Sequence, residues 1–347
     1  MDAVGNTRII DLGFAPGRLP KGARNKITDV PGVLVGHHTV LDATHRTGVT
    51  VILPRPDVYL HKCVAAAEVI NGYGKTAGLV QVRELGQLET PIALTNTLNV
   101  GLVCDALVQY TLDETRRAGV KIRSINPLVG ECNDGTMSNI ADRVVGWPEV
   151  ADAIQNAAAD FAEGCVGGGT GMICHELKGG IGSASRVITL GGKDYTVGVL
   201  VQANHGQLVN LTICGQRVGP ALHEKLNRIA REREEGSCIL VLATDLPVSA
   251  RQLGRIVKRC GVGLARCGSF WGHGSGDIAI GFTTAHDLPD HSDTAARSLE
   301  VLDENHIDPA LEAAAEASEE AVLNALAAAE TMTGVDGRTW YALKDVL

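Results

Sequence analysis

The chain has 347 residues, enough for one large domain or two ordinary ones with a sizeable core. With 45% hydrophobic and 20% charged residues the composition is globular rather than disordered. The formal charge of −9 argues against a nucleic-acid or acidic-membrane partner, either of which needs a basic face.

Glycine is abundant at 41 residues and aromatics make up only 3%, so the core must come from Val, Leu, Ile and Ala, with many tight turns. Nine cysteines without a CxxC pair fit reduced thiols in a cytoplasm better than a disulfide framework. The start has no apolar stretch of the signal-peptide kind. No window approaches the roughly 18 apolar residues of a membrane span.

In chain order, "GVLVGHHTV" and "TGVTVILPRP" read as short β-branched strands forming a hairpin or meander. "KCVAAAEVINGYG" has the Ala-rich pattern of a helix closed by glycine. "PIALTNTLNVGLV" reads as a buried strand entering a turn, and residues 102–118 and 148–163 as helices. "GCVGGGTGMICHELKGGIGSASRVITL" is a glycine-heavy loop leading into strands. "YTVGVLVQANHGQLVNLTI" reads as two antiparallel strands. "ALHEKLNRIARERE" is an amphipathic helix with Leu222, Leu226 and Ile229 on one face.

"CILVLATD" is a near-continuous apolar strand, as expected for burial on both faces. "PVSARQLGRIVKRCGVGLARCG" follows as a helix whose inner stripe is Leu253, Ile256, Val257, Cys260 and Leu264. "GDIAIGFTTAH" is another strand. Asp308-Pro309 opens an Ala-rich helix that fades near Gly334. There is no 20–50-residue repeat, and strands and helices mix throughout, so helices packed on sheets are expected.

Several motifs fail on inspection. "VINGYGKT" ends like a phosphate-binding loop, but Val69 stands where its first glycine is needed. "GGGTGM" places Met172 at the last glycine of a dinucleotide fingerprint. His37-His38 point to opposite faces of a strand, and His273 has no partner at ligand spacing. "GHGSGD" is not the GxSxG elbow of a hydrolase.

The segment that carries chemistry is Gly236-Ser237, between the charged run ending in "REREE" and the strand "CILVLATD". A serine there can attack the carbonyl of the glycine before it, which has no side chain to block the approach, in an N→O acyl shift favoured by a strained loop. Hydrolysis of the ester would leave Ser237 as a new N-terminus. Its α-amine, titrating near 7.7–8.0 when unperturbed, could then act as base for its own hydroxyl.

Collinear blocks around this junction resemble the L-aminopeptidase/D-esterase family, which includes β-aminopeptidases and a nylon-oligomer hydrolase. They are "NKITDVPGVLVGHHTV", "TGVTVILP", "LTNTLNVG", "PLVGECNDG", "GCVGGGTGMICHELKGGIGSASR", "VGVLVQANHG", "EEGSCILVLATDLP" and "GLARCGSFWGHGSGDIAIGFTTA", and they span nearly the whole chain. The resemblance implies an α+β fold, an αββα sandwich like that of the N-terminal-nucleophile hydrolases with different connectivity, also found in ornithine acetyltransferases. It implies a precursor cut at Gly236-Ser237 into an α chain of 1–236 and a β chain of 237–347.

Residue by residue, the resemblance makes Ser237 the nucleophile and Asn204, in "VQANHG", the oxyanion donor. Ser275 matches a serine that hydrogen-bonds the nucleophile, and Asp277 an acidic residue two positions on. Two residues apart on a strand, they share a face, so both could face Ser237. Glu131, in "VGECNDG", would hold a substrate's ammonium, work that Asp134 could also do. Asn133 stands where many relatives carry an aromatic, and Asp277 replaces the glutamate of some β-aminopeptidases, which leaves substrate size and side-chain preference open.

The implied protein is a cytoplasmic, self-processing aminopeptidase or amidase without metal or cofactor. It would act on short peptides, amino-acid amides or esters with a free amino end, as a homo-oligomer such as a tetramer. An acyltransferase on the same fold and a non-catalytic scaffold are the alternatives.

Overall fold

A computed structural model describes residues 7–227 and 235–347. Strands β1 (Leu34–Leu41) and β2 (Arg46–Leu53) form the expected hairpin, paired from Leu34↔Leu53 to Leu41↔Arg46. Its turn is closed by the Asp42 carboxylate, which accepts the backbone N–H groups of Thr44 and His45 at 2.8 Å each, an Asx-type turn.

Strand β3 (His61–Gly72) occupies the segment whose composition predicts a helix. Alanine's helical preference is overridden because both faces of this stretch are buried in a sheet. Cys63 and Ala65 enter the cluster between the sheets, while Val64 and Ala66 enter the cluster beneath the helices. That period of two is a strand's.

Helix α1 (Leu79–Leu85) and strands β4 (Gln87–Leu88) and β5 (Ile92–Asn96) follow. Helix α2 (Val100–Arg117) then crosses over to strand β6 (Leu128–Cys132), which pairs in parallel with β5. The first sheet runs β1-β2-β5-β6. Helix α3 (Trp147–Gln155) is shorter than the span expected to residue 163. The chain leaves the helix because Ala158 exchanges backbone hydrogen bonds with Val35 of β1. Val103 and Leu107 of α2 and Val150 and Ala153 of α3 cover the outer face of this sheet against Val49, Val51, Ala93 and Val129.

The glycine-rich loop leads into strand β7 (Gly180–Leu190). The stretch expected to form two antiparallel strands holds one long strand, β8 (Lys193–Asn204), antiparallel to β7, then a 3-10 turn at Leu208–Asn210 and a two-residue strand, Thr212–Ile213, that pairs with Gln216–Arg217 instead. Helix α4 (Gly219–Lys225) contains Leu222, while Ile229 lies outside the described residues.

Strand β9 (Glu235–Thr244) is buried on both faces as expected. Ile239, Val241 and Ala243 point between the sheets, and Cys238, Leu240 and Leu242 point to the helices. The next expected helix is two, α5 (Ala250–Val257) and α6 (Cys260–Arg266). All five residues of its inner stripe are fully buried nevertheless. Strand β10 (Gly274–Pro289) runs parallel to β9.

Helix α7 (Asp308–Ala328) ends before the expected Gly334. Beyond it, Glu330 N donates to Cys165 Sγ at 3.3 Å, so the chain is held out of helical geometry. The second sheet runs β4-β3-β10-β9-β8-β7. Its outer face is covered by α5, α6 and α7, and its inner face packs on the first sheet through Leu94, Leu128, Leu200, Val241 and Ile280. The layers are therefore helix, sheet, sheet, helix. Helix α7 comes so close to β7 that a Cβ on Gly182 would lie 2.1 Å from Ala321 O. Among the described residues no helix is long and apolar enough to cross a membrane.

Candidate active site

Six strand ends converge at one mouth of the sandwich: the C-termini of β3, β5, β6 and β8, and the N-termini of β9 and β10. A cavity of about 350 Å³ opens there, lined among others by Tyr73, Lys75, Thr97, Glu131, Asn133, Glu176, Asn204 and Ser237. The pairing Asn204↔Ser237 sets these two side by side at the ends of β8 and β9.

Ser237 is buried on the inner side, in alternation with Ile239. Asn204 Nδ2 donates to Ser237 Oγ at 3.4 Å and to Asn133 O at 3.2 Å. The other end of the same amide is occupied, since Asn204 Oδ1 accepts Ile173 N–H at 2.8 Å. A backbone N–H can only donate, so the amide is fixed with its N–H groups toward the serine. A Cβ on Gly236 would lie 2.2 Å from Asn204 O. Only glycine lets β8 and β9 approach this closely beside the serine.

Glu131 reaches the cavity from the end of β6. It is buried, its Oε1 accepts Lys75 N–H at 2.8 Å, and its Oε2 accepts the Thr97 hydroxyl. Asn133 also lines the cavity, with its side chain turned back to accept Gly135 N–H at 2.9 Å. Asp134 stands behind the cavity wall, where its carboxylate accepts Asn96 Nδ2 at 3.1 Å. Of the two carboxylates the sequence leaves open, Glu131 faces the cavity and Asp134 does not.

Burial pushes Asp134 up to about 6, against hydrogen bonds from Thr47 and Asn96 that resist the shift. The folded value lies above the unfolded value near 3.9, so the folded chain holds the extra proton between the two. The stabilisation is fully present below about pH 4 and lost as pH rises through about 6. Asp134→Asn removes this dependence. Relative to wild type the variant is expected to gain about 3 kcal/mol of stability from about pH 4 to about pH 7, read from urea midpoints across pH.

Ser275 and Asp277 lie on β10 in register with Gly236 and Cys238, flanking Ser237 from the neighbouring strand. They share a face, and it is the helix-side face of Cys238, while Gly276 between them abuts Tyr73 O at the cavity. They therefore flank the Ser237 backbone rather than its hydroxyl. Cys132 lies behind the serine, with burial pushing its thiol well above the ordinary value, so it offers no competing thiolate.

Thr97, Lys75 and Glu176 are cavity residues that sequence reading does not single out. Thr97 does lie within the quoted block "LTNTLNVG". Lys75 lies in "VINGYGKT", the segment that fails as a phosphate-binding loop. Next to Asn204 lie His205 and, across from it, His175, which burial holds at about 3 and about 4, so both rings are neutral near pH 7.

Comparison with known proteins gives a consistent picture. The model of peptidase family S58 matches residues 25–340. The chain is 37% identical to the beta-peptidyl aminopeptidase BapA of Sphingosinicella xenopeptidilytica, over 97% of this chain and 88% of that one. The solved structure of a Burkholderia sp. beta-aminopeptidase superposes with a TM-score of 0.89 at 41% identity, covering 97% of this chain and 95% of that one. The L-aminopeptidase D-Ala-esterase/amidase of Ochrobactrum anthropi, described as a variant of the Ntn hydrolase fold, superposes with a TM-score of 0.90 at 36% identity, again over 97% and 95%. The α+β sandwich described above is that fold.

Proposed function

The chain belongs to peptidase family S58 and is an aminopeptidase, and from that premise we propose that it is a self-processing enzyme whose nucleophile is Ser237 freed by scission of the Gly236-Ser237 bond. The observation that carries this reading is the placement of Ser237 Oγ beside the oriented amide of Asn204, in a cavity that also holds Glu131.

In the first event the Ser237 hydroxyl adds to the Gly236 carbonyl, the C–N bond breaks, and an ester forms on Oγ. Water then hydrolyses the ester, leaving a carboxylate on Gly236 and an α-amine on Ser237. The products are an α chain of 1–236 and a β chain of 237–347. In each catalytic cycle the neutral α-amine takes the hydroxyl proton as Oγ attacks a substrate carbonyl. Asn204 donates to the oxyanion. The protonated amine passes its proton to the leaving nitrogen, and water releases the acyl group. Ser275 and Asp277, beside the Ser237 backbone, are placed to orient the new amine.

Glu131 supplies the aminopeptidase selectivity by pairing with a substrate ammonium. Substrates are short peptides, amino-acid amides or esters with a free amino end. β-Peptides are the first to test, since two of the relatives above are named for them. The active unit is a homo-oligomer of processed chains.

Intact mass with N-terminal sequencing tests the premise. Two fragments, one beginning at Ser237, are expected, whereas full turnover by an uncut chain would sink it. Glu131→Gln keeps the shape and the Thr97 contact but loses the charge. It is expected to raise KM about 10- to 100-fold with a smaller change in kcat, as measured by steady-state kinetics.

A further inference from the structure

Directly behind the oxyanion asparagine lies a second cluster that the serine chemistry does not use. The ligand atoms of Cys174, His175 and His205 all lie within 4.8 Å of one another, and all three residues are fully buried. We propose that Cys174, His175 and His205 form a zinc-binding site that pins the end of β8 and hence Asn204. This site does not depend on the self-processing reading above.

The tautomers favour it. His175 Nδ1 lies 3.1 Å from the Gln207 carbonyl oxygen, which can only accept, so Nδ1 carries the proton and Nε2 the lone pair. A histidine ligand to zinc is held in this way, with its far N–H donated to a carbonyl. Among the described residues His175 Nε2 is buried without a hydrogen-bond partner. A buried polar atom left so costs about 1–3 kcal/mol, which a coordinated cation would recover.

Cys174 Sγ approaches His205 Nδ1 at 4.0 Å, and the two imidazole rings meet edge to face at 5.4 Å between centroids. Tetrahedral zinc, with bonds of about 2.3 Å to sulfur and about 2.0 Å to nitrogen, sets ligand atoms about 3.5 Å apart. Each side chain need move inward by less than about 1 Å to reach that spacing. Thiolate with imidazole suits zinc rather than calcium or magnesium.

The backbone is committed to this arrangement. His175 and Glu176 both adopt left-handed φ values, +48° and +57°, at the turn of a two-strand ribbon formed by Ile173–Cys174 and Leu177–Lys178. These are the values a two-residue hairpin turn between Cys174 and Leu177 imposes, so the ribbon itself holds His175 in place. His175 N–H donates to His205 O at 2.6 Å, tying the ribbon to the end of β8. A Cβ on Gly206 would strike the His175 ring at 2.5 Å. Ile173, one residue before the cluster, holds Asn204 Oδ1, so the cluster and the oxyanion donor share one rigid unit.

The test is metal uptake by the full-length protein in chelator-buffered zinc, read by elemental mass spectrometry, with cobalt(II) as an optical probe. About one equivalent of zinc per chain is expected, with an upward shift in Tm on zinc addition. Cobalt should show a tetrahedral spectrum with a thiolate charge-transfer band. Cys174→Ser and His205→Gln should bind at least about tenfold more weakly and lose the Tm shift. Where circular dichroism shows either variant unfolded, His175→Gln takes its place. Wild-type uptake no greater than that of the variants, or a cobalt spectrum without the thiolate band, overturns the proposal.

Discussion

Ser237→Ala is expected to run as a single uncut chain on a denaturing gel and to lose at least about 10⁴-fold in aminopeptidase turnover. The substitution deletes one oxygen from a buried side chain that packs beside Ile239 at the start of β9. Its cost in stability should stay near about 1 kcal/mol, because what is lost is a long hydrogen bond from Asn204 Nδ2 and a contact with the Cys132 thiol. Both losses then trace to chemistry. Without Oγ no ester can form on residue 237, so the bond to Gly236 stays intact and no α-amine is released. The same oxygen is missing when substrate arrives. Far-ultraviolet circular dichroism should match wild type. A Ser237→Ala chain that is still cut at the same bond, or that keeps more than about one part in a hundred of turnover, would assign the nucleophile elsewhere. Ser237→Cys, which retains a nucleophilic atom, should still be cut, though more slowly.

The architecture was partly legible because apolar periodicity reports burial. Strand β9 reads as buried on both faces, and its odd and even residues do enter different cores. Strand β3 reads wrongly for the complementary reason. Its alanines carry a strong local helical preference and a weak hydrophobic pattern, and its identity as a strand is set by pairing with β10 more than two hundred residues away. The same distance in sequence hides part of the site. Ser237, Asn204 and Glu131 stand in recognisable blocks, but Thr97 and Lys75 join them only because β5, β6 and β3 end at the same mouth. The cluster of Cys174, His175 and His205 has no ligand-like spacing at all. Two turns far apart in the chain bring it together through one backbone hydrogen bond. Likewise, the period of two shows that Ser275 and Asp277 share a face, but not which one. The register with β9 decides that, and it turns them toward the backbone of the nucleophile rather than its hydroxyl.

Asn204→Ala should lower kcat by about 10²–10³-fold, with KM changed far less. The reason lies in how the amide is held. Its oxygen accepts from Ile173 N and its nitrogen donates to Asn133 O, so the remaining N–H direction is preset beside Ser237 Oγ. A donor fixed before reaction pays no reorganisation when negative charge develops on the carbonyl oxygen, and such a donor is worth roughly 2.7–4 kcal/mol. Ground-state substrate carries little of that charge, so binding loses little. The variant also orphans Ile173 N–H, at a cost of about 1–3 kcal/mol in stability, and kinetics should therefore be measured well below its melting temperature. Asn204→Asp tests the donor directly. An aspartate still accepts from Ile173 N but presents negative charge, not a donor, to the oxyanion and to the Asn133 carbonyl. It should leave kcat as low as in the alanine variant or lower, with no gain in stability over it. An aspartate variant with near-normal kcat would remove Asn204 from the oxyanion site.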